Sequence, residues 1–491
     1  SGGVVEQLGK GRHVFDYSLA YIGPSELFRH IAARNKKVGA KLQVGCSHEN
    51  ASVPFIPVPG NLYEKYKTMH ELGVYAAMQC WYFGNYPGLM NKAAGELSFE
   101  PFPQSEDEFL TMLARPEWRR HTPKVVEAWK YFSEGYQKFP GNIAFEWFGP
   151  LHHSIAWPLH LFPVDEPVSP SWILKNFPEV SGDRIGECLI YQHTLAEGLT
   201  LCREMYELWQ KGTDILESLR GDYSDDPARI ADINLARAIS LQMRSTLNLL
   251  TFYSLREEMF FERKDNLEAL RGIVQDEIRN SRSMKQLCEQ DSRLGYHSEA
   301  EGYLFFPEKL EARVALLEQL LDVDFPKFRM DAPFIAEYTG ENPVGAKSVC
   351  RRGTPSGNME KAGGTGISWT SYYDEQMLSI VVEGSEGKAF TVEIEPCRLW
   401  PPVRIDFDQS GKPVLYSFIF REIPSVEYVR ENGRLTIRIP MEVFDGFRRK
   451  NFPMRFNLWS GTDGWVRREP WTSRLLHRDY NPKCAGWLIF E

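Results

Sequence analysis

The hydrophobic period of this chain changes along its length, and the last change limits most sharply what it can fold into. After the proline-bounded segment PKFRMDAP (Pro326–Pro333), apolar residues recur at every second position. They do so in DEQMLSIVVEG, KAFTVEIEP, VRIDFD, VLYSFIFRE, RLTIRIP, MRFNLWSG and GWLIFE, separated by Gly, Pro, Asn and Asp turns. Short strands with turn signals at this spacing predict a β-sandwich over residues 331–491. Over 181–325 the apolar residues recur instead at three and four. The runs GECLIYQHTLAEGLTLCREMYELWQKGTDILESL, ADINLARAISLQMRSTLNLLTFYSLREEMFF and EARVALLEQLL carry that stripe, which predicts a helical bundle.

Residues 1–180 alternate between the two periods. YSLAYI (Tyr17–Ile22) reads as a strand, and Ser25 as the cap of the helix SELFRHIAARNKK. The strand VGAKLQVGCSHEN follows, then a helix, LYEKYKTMHELG, that stops at Gly73. VYAAMQCWYFGN is the third strand, helices fill Glu106 to Gln137, and NIAFEWFGP is the fourth strand. Alternating β and α predicts a parallel sheet. Each expected strand ends in polar and aromatic residues, as in a (β/α) barrel, where the carboxyl ends of the strands build the active site. Four units are half of a barrel, so residues 1–180 read as its second half. The chain begins Ser1-Gly2-Gly3, which suits a processed form or a fragment, with the first half expected upstream. A four-strand α/β layer completed by the helices is the alternative. The expected fold class is thus a multidomain α/β + α + β protein.

Composition narrows the partners. The net charge of −9, from 57 basic and 66 acidic residues, offers no phosphate-binding footprint, so nucleic acid is not expected. No apolar stretch reaches the length of a membrane span, and no secretory leader is visible. Eight cysteines lie scattered without CxxC spacing, which predicts buried free thiols and leans toward a reducing compartment. The 13 Trp, 21 Tyr and 30 Phe supply core, and they also suit sugar sites, where pyranose faces stack on flat rings.

Four constellations could carry chemistry. The first is SHEN, Ser47 to Asn50, at a strand end. Glu49 suits a general acid, a nucleophile or a hydroxyl ligand, with His48 and Asn50 binding hydroxyls; its structural reading is a capping or solvated loop residue. The second is CWYFGNYP, where Trp81 and Tyr82 offer a stacking wall and Asn85 a polar anchor. The third is FEWFGPLHHSIAWP, in which Glu146 would point into the barrel mouth, followed by His152, His153 and Trp157. A carboxylate buried there would have the raised pKa that acid catalysis needs. The fourth is the loop DSRLGYHSEAEGY, with Tyr296 and His297 beside the flexible Gly295. It reads either as a loop reaching the barrel mouth or as a brace in which Asp291 and Arg293 join two helices. His48, Glu49, His152 and His153 could meet around a metal, but no HExxH spacing is present, and no cofactor is expected.

The C-terminal segment resembles the family 9 carbohydrate-binding module. The features run in order: the Tyr373-Asp374-Glu375 turn into LSIVV, then TVEIEP, IPMEVF after RLTIR, MRFNLWSG, a segment containing Trp471, and NPKCAGWLIF. The resemblance implies a β-sandwich and, in the better studied members, sugar binding by aromatic stacking, with Trp369, Trp400, Trp465 and Trp471 as candidates here and core packing as the alternative for each; many relatives keep the fold without a binding site. Such a module leans toward a secreted or periplasmic location, against the cysteines. The upstream part resembles, in architecture alone, the barrel and helical regions of bacterial glycoside hydrolases.

Together these features predict a glycoside hydrolase acting on an oligo- or polysaccharide. Two carboxylates would stand about 5–5.5 Å apart in a retaining enzyme and about 6.5–9.5 Å apart in an inverting one. Glu49 and Glu146 are the candidates present, and the upstream half could hold one or both partners. A non-catalytic glycan-binding protein and a metal-dependent barrel lyase or isomerase are the alternatives.

Overall fold

The computed structural model describes residues 3–14, 18–20, 23–35, 37–46, 48–80, 86–142, 145–146, 149–152, 154–164, 182–189, 193–297, 302–355, 358–362, 365–396, 403–414, 426–444, 453–463, 466–470 and 486–491. The fold is mixed α/β with a β-rich C-terminal part. The chain opens with an antiparallel hairpin, β1 (Gly3–Gln7) and β2 (Lys10–Val14). Its two turn residues, Leu8 and Gly9, have φ of 54° and 72°. That left-handed pair matches the twist of the flanking strands, and Gly9 adopts it without strain. Leu8 carries no turn signal, so the hairpin is invisible to a strand–helix reading.

Helix α1 (Glu26–Arg34) starts as expected, Ser25 accepting from the Phe28 N–H at 3.1 Å. Strand β3 (Gly39–Gln43), helix α2 (Pro59–Glu71) and strand β4 (Ala76–Cys80) form one β-α-β unit, its strands parallel with Gly39 opposite Ala76 and Gln43 opposite Cys80. Among the described residues this is the only parallel pair in the N-terminal region. Two expected strands are corrected. Ser18–Ala20 bend rather than extend, because the Leu19 N–H points to the Glu49 carboxylate and not along a ladder. Phe145 and Glu146 are helical, because Asn142 acts as a cap: its side-chain oxygen accepts from the Phe145 N–H at 2.7 Å and its carbonyl from the Glu146 N–H at 3.1 Å. Tyr75 and Met78 beside and within β4, and Leu27 and Ile31 on α1, are exposed, although parallel strands are normally covered on both faces.

Helices α3 (Leu89–Glu96), α4 (Glu106–Trp118) and α5 (Thr122–Tyr136) pack beside the long helices α6 (Leu195–Glu217), α7 (Pro227–Glu262) and α8 (Leu267–Gln290), with α9 (Pro307–Gln319) against α8. Thr194 and Glu197 close a capping box on α6. Asp226 caps α7, with Pro227 next to it where proline fits the first turn. One apolar cluster runs from Leu19 to Tyr338, so the α/β segment and the helices share a core. Inside it, Glu277 and Arg313 pair at 2.6 Å, both essentially inaccessible. Arg313 also donates to the Trp157 carbonyl and the Ser281 hydroxyl, and Asn248 donates to Glu277. Five described cysteines are buried thiols: Cys46, Cys188, Cys202, Cys288 and Cys350.

A second cluster, from Cys350 to Leu488, fills the C-terminal part. Its strands are β7 (Lys347–Arg352), β8 (Glu360–Ala362), β9 (Ile367–Tyr373), β10 (Met377–Glu383), β11 (Phe390–Glu395), β12 (Val403–Phe407), β13 (Pro413–Val414), β14 (Glu427–Glu431), β15 (Arg434–Pro440), β16 (Met454–Asp463), β17 (Val466–Pro470) and β18 (Gly486–Phe490). They form one continuous sheet in the order β13-β12-β11-β16-β18-β7-β9-β10-β15-β14, with β17 on β16 and β8 on β9. The sheet curls on itself: Trp369 of β9 meets Phe456 of β16 with ring centres 4.2 Å apart. Trp369 is fully buried, so it is core and not a stacking platform; Trp400, Trp465 and Trp471 lie outside the described residues.

Two outcomes are expected. Residues 340–491, expressed alone, should unfold in one cooperative transition, since the cluster from Cys350 to Leu488 is a separate core while Ile335 and Tyr338 belong to the first; a broad non-cooperative melt would show dependence on the helices. Arg313→Met should destabilise the intact chain by about 3–5 kcal/mol in urea titration, because it leaves the buried Glu277 charge unpaired.

Candidate active site

The SHEN segment forms a one-turn 3₁₀ helix, His48–Asn50, buried just beyond β3. Glu49 accepts a hydrogen bond from the Ser18 hydroxyl and another from the Leu19 N–H at 2.9 Å, with the Ala20 N–H at 3.5 Å. The Ser18–Ala20 bend is held from the other side by α2. Lys65 donates to the Ser18 carbonyl at 2.6 Å and Asn61 to the Leu19 carbonyl at 3.1 Å. Burial lowers the Lys65 pKa to about 8, and the Glu49 charge opposes that shift.

Glu49 and Glu146 line one cleft of about 10 Å³, together with Ser18, Gln7, Asn142 and the Gln137–Gly141 turn. The gap is narrow, with free room for about one water molecule. Gln7 brings the N-terminal hairpin into the wall: its amide donates to the Phe139 carbonyl at 2.8 Å and accepts from the Gly141 N–H at 2.9 Å.

The other expected site residues have varied placements. Asn50 is wholly buried and pairs with Gln242 of α7: Asn50 Nδ2 donates to Gln242 Oε1 at 3.1 Å. Its amide is therefore spent on the fold and does not face the cleft as a hydroxyl ligand. Gln242 also donates to the Ser52 hydroxyl at 2.7 Å and the His152 carbonyl at 3.0 Å. His152 accepts from the Ala51 N–H at Nδ1 and so carries its proton on Nε2, which donates to the Glu146 carbonyl at 2.8 Å. With both ring nitrogens engaged, it positions the two glutamates' segments and is not a substrate contact. Trp157 is core. Tyr296 packs on Tyr303 across a short ladder, Tyr296–His297 with Gly302–Tyr303. Arg293 is held bidentately by Asp291, and the Gly295 N–H donates to the Ser52 carbonyl at 2.8 Å, tying this loop to the SHEN turn. Trp81, Tyr82, Asn85 and His153 lie outside the described residues.

His297 is buried with its ring 6.2 Å from that of His152, and His48 completes a cluster of three. Burial, reinforced for His48 and His297 by neighbouring imidazoles, pushes His48 and His297 down to about 3; burial takes His152 to about 4 against the opposing pull of its hydrogen bond to the Glu146 carbonyl. Among the described residues no group of three His, Cys, Asp or Glu is arranged to hold a metal. Sequence reasoning missed Ser18, Lys65, Gln7, Asn142 and Gln242. Asn142 had a usable signal, an Asn after Pro-Gly and ahead of an apolar run; a buried Lys65 in an amphipathic helix had none.

The neutral histidines make acid stability predictable. Their folded pKa values lie below the unfolded 6.5, so the unfolded chain binds more protons. Stability is therefore complete above pH 6.5 and falls as pH drops toward 4. His193, pushed down to about 3 by burial, adds to this; Asp232, raised to about 6, and Glu106 and Glu257, raised by burial, oppose it. Urea unfolding at pH 7 and pH 5 should show a loss on the order of 1 kcal/mol for each of these histidines; equal stabilities would mean that they are protonated in the folded chain.

No protein-family model matches the chain and no curated protein matches it, and the chemistry of the cleft is read from its own residues.

Proposed function

We propose that the chain is the catalytic part of a glycoside hydrolase that works through Glu49 and Glu146. The observation that carries this reading is that both carboxylates line one cleft. Hydrolysis of a glycoside needs two such groups, one to protonate the leaving oxygen and one to stabilise or attack the anomeric centre. Their surroundings divide the roles. Glu49 is met by the Ser18 hydroxyl and the Leu19 N–H, with the Lys65 ammonium nearby, a setting that favours a carboxylate anion. Glu49 is thus the nucleophile or base, and Glu146 is the proton donor. The water-sized gap suits the hydrolytic water.

The (β/α) barrel remains part of this proposal. The β3-α2-β4 unit supports it, and so does the exposed apolar flank of Tyr75, Met78, Leu27 and Ile31, which an upstream half would cover. The C-terminal sheet is proposed as a sugar-binding module. No helix among the described residues is long and apolar enough to cross a membrane. Glycan binding without turnover is the second reading, favoured by the engagement of Glu49 with the Ser18 hydroxyl and the Leu19 N–H.

Glu146→Gln and Glu49→Gln should each lower turnover about 10²-fold or more in a reducing-sugar assay on a glycan panel, with the fold intact by circular dichroism. A raised KM with unchanged kcat would assign the residue to binding alone. If neither variant alters the release of reducing sugar, the hydrolytic centre is elsewhere.

A further inference from the structure

A second cavity, of about 350 Å³, shares no lining residue with the carboxylate cleft. It lies between the α/β segment and the helices. The segments that leave the carboxyl ends of β3 and β4 border it, through Phe55 and Pro57 on one and Pro87 to Leu89 on the other. Ligands of parallel α/β proteins bind outside that end of the strands, and the volume is in the range of small-molecule sites, roughly 300–1,000 Å³.

Its walls have two characters. Phe55, Trp118 and Trp129 border it as nearly buried core rings, which shape an apolar wall without a free stacking face. At Gly88 a Cβ would stand 2.5 Å from the Phe55 ring, so glycine is what lets that ring close the wall. The polar groups are Lys92, Glu117, Arg229, Asp232 and Arg293. None is a lone charge. Glu117 bonds both Lys92 and Arg229, Arg229 also reaches Asp232 at 3.1 Å, and Arg293 is held by Asp291. The charges cancel in pairs, leaving a wall rich in both donors and acceptors with little net field. An ionic ligand gains nothing from such a wall. A neutral molecule with hydroxyls around an apolar face uses all of it. Burial raises the Asp232 pKa to about 6 although Arg229 faces it.

We infer that this cavity is a second ligand site, which takes a neutral saccharide of one or two rings between the apolar wall and the paired charges of Glu117, Arg229 and Asp232. The ligand class is read from the cavity itself and does not need hydrolysis at Glu49 and Glu146.

Calorimetric titration of the full chain tests it, with glucose, galactose, mannose, xylose, cellobiose, maltose, lactose and xylobiose, and with glucuronate as the charged counterpart. At least one neutral sugar should bind saturably. Asp232→Asn and Lys92→Met should each weaken it by about tenfold or more, the scale of one lost hydrogen bond to a charged group. Lys92 is exposed, so its variant tests the site even if Asp232→Asn perturbs folding. Glu146→Gln should leave the affinity unchanged. The inference is overturned if no neutral sugar binds, if glucuronate binds in their place, or if Lys92→Met leaves the affinity untouched. Loss of binding in Glu146→Gln also overturns it, by placing the sugar in the cleft. Binding without turnover defeats only the hydrolase reading.

Discussion

The Gln242 side chain is the contact on which the carboxylate cleft depends. It projects from the middle of α7 into the turn that carries Glu49 and exchanges amide hydrogen bonds with Asn50. It also reaches Ser52 and the carbonyl of His152, and His152 in turn holds the backbone of Glu146. One amide of a long helix thus fixes the segments of both glutamates. A buried amide left without partners costs about 1–3 kcal/mol for each group, so the helix and the two turns have one low-energy arrangement. The helical region is part of the site's construction, and the single apolar cluster from Leu19 to Tyr338 states the same dependence in packing.

The interior sorts its charges by what surrounds them. Glu49 lies among donors, Glu277 is met by Arg313 and Asn248, and Asp232 is met by Arg229. The histidines have each other and backbone groups instead, and they stay neutral. Two kinds of polar interior thus coexist: anions met by donors or cations, and uncharged imidazoles near the Glu49 turn. Among the latter, His152 holds the backbone of Ala51 and Glu146 without adding a competing charge.

What the sequence shows and what it hides divide along physical lines. Periodicity is a property of long segments, so the helices α6 to α9 and the β-rich C-terminal part were legible. So were the Ser25 cap and the buried thiols, which depend on local chemistry. Long-range polar pairing was not. Asn50 looks like a ligand beside Glu49 until Gln242, 192 positions away, claims its amide. Glu146 looks like the end of a strand because Phe-Glu-Trp-Phe alternates, but Asn142 turns the backbone into a helix first. Leu8 enters a left-handed turn because the hairpin's twist demands it, which no residue preference announces.

Helix α7 also acts as a ruler. Asp232, on the second cavity, and Gln242, under the cleft, lie on the same unbroken helix of 36 residues, ten residues and about 15 Å apart at 1.5 Å per residue. No loop intervenes to absorb a change in that spacing. Deleting one residue between them would rotate one end by about 100° relative to the other and would take either Gln242 or Asp232 off its face. Point substitutions can retune each site by itself, whereas their separation and relative orientation are fixed by the helical repeat.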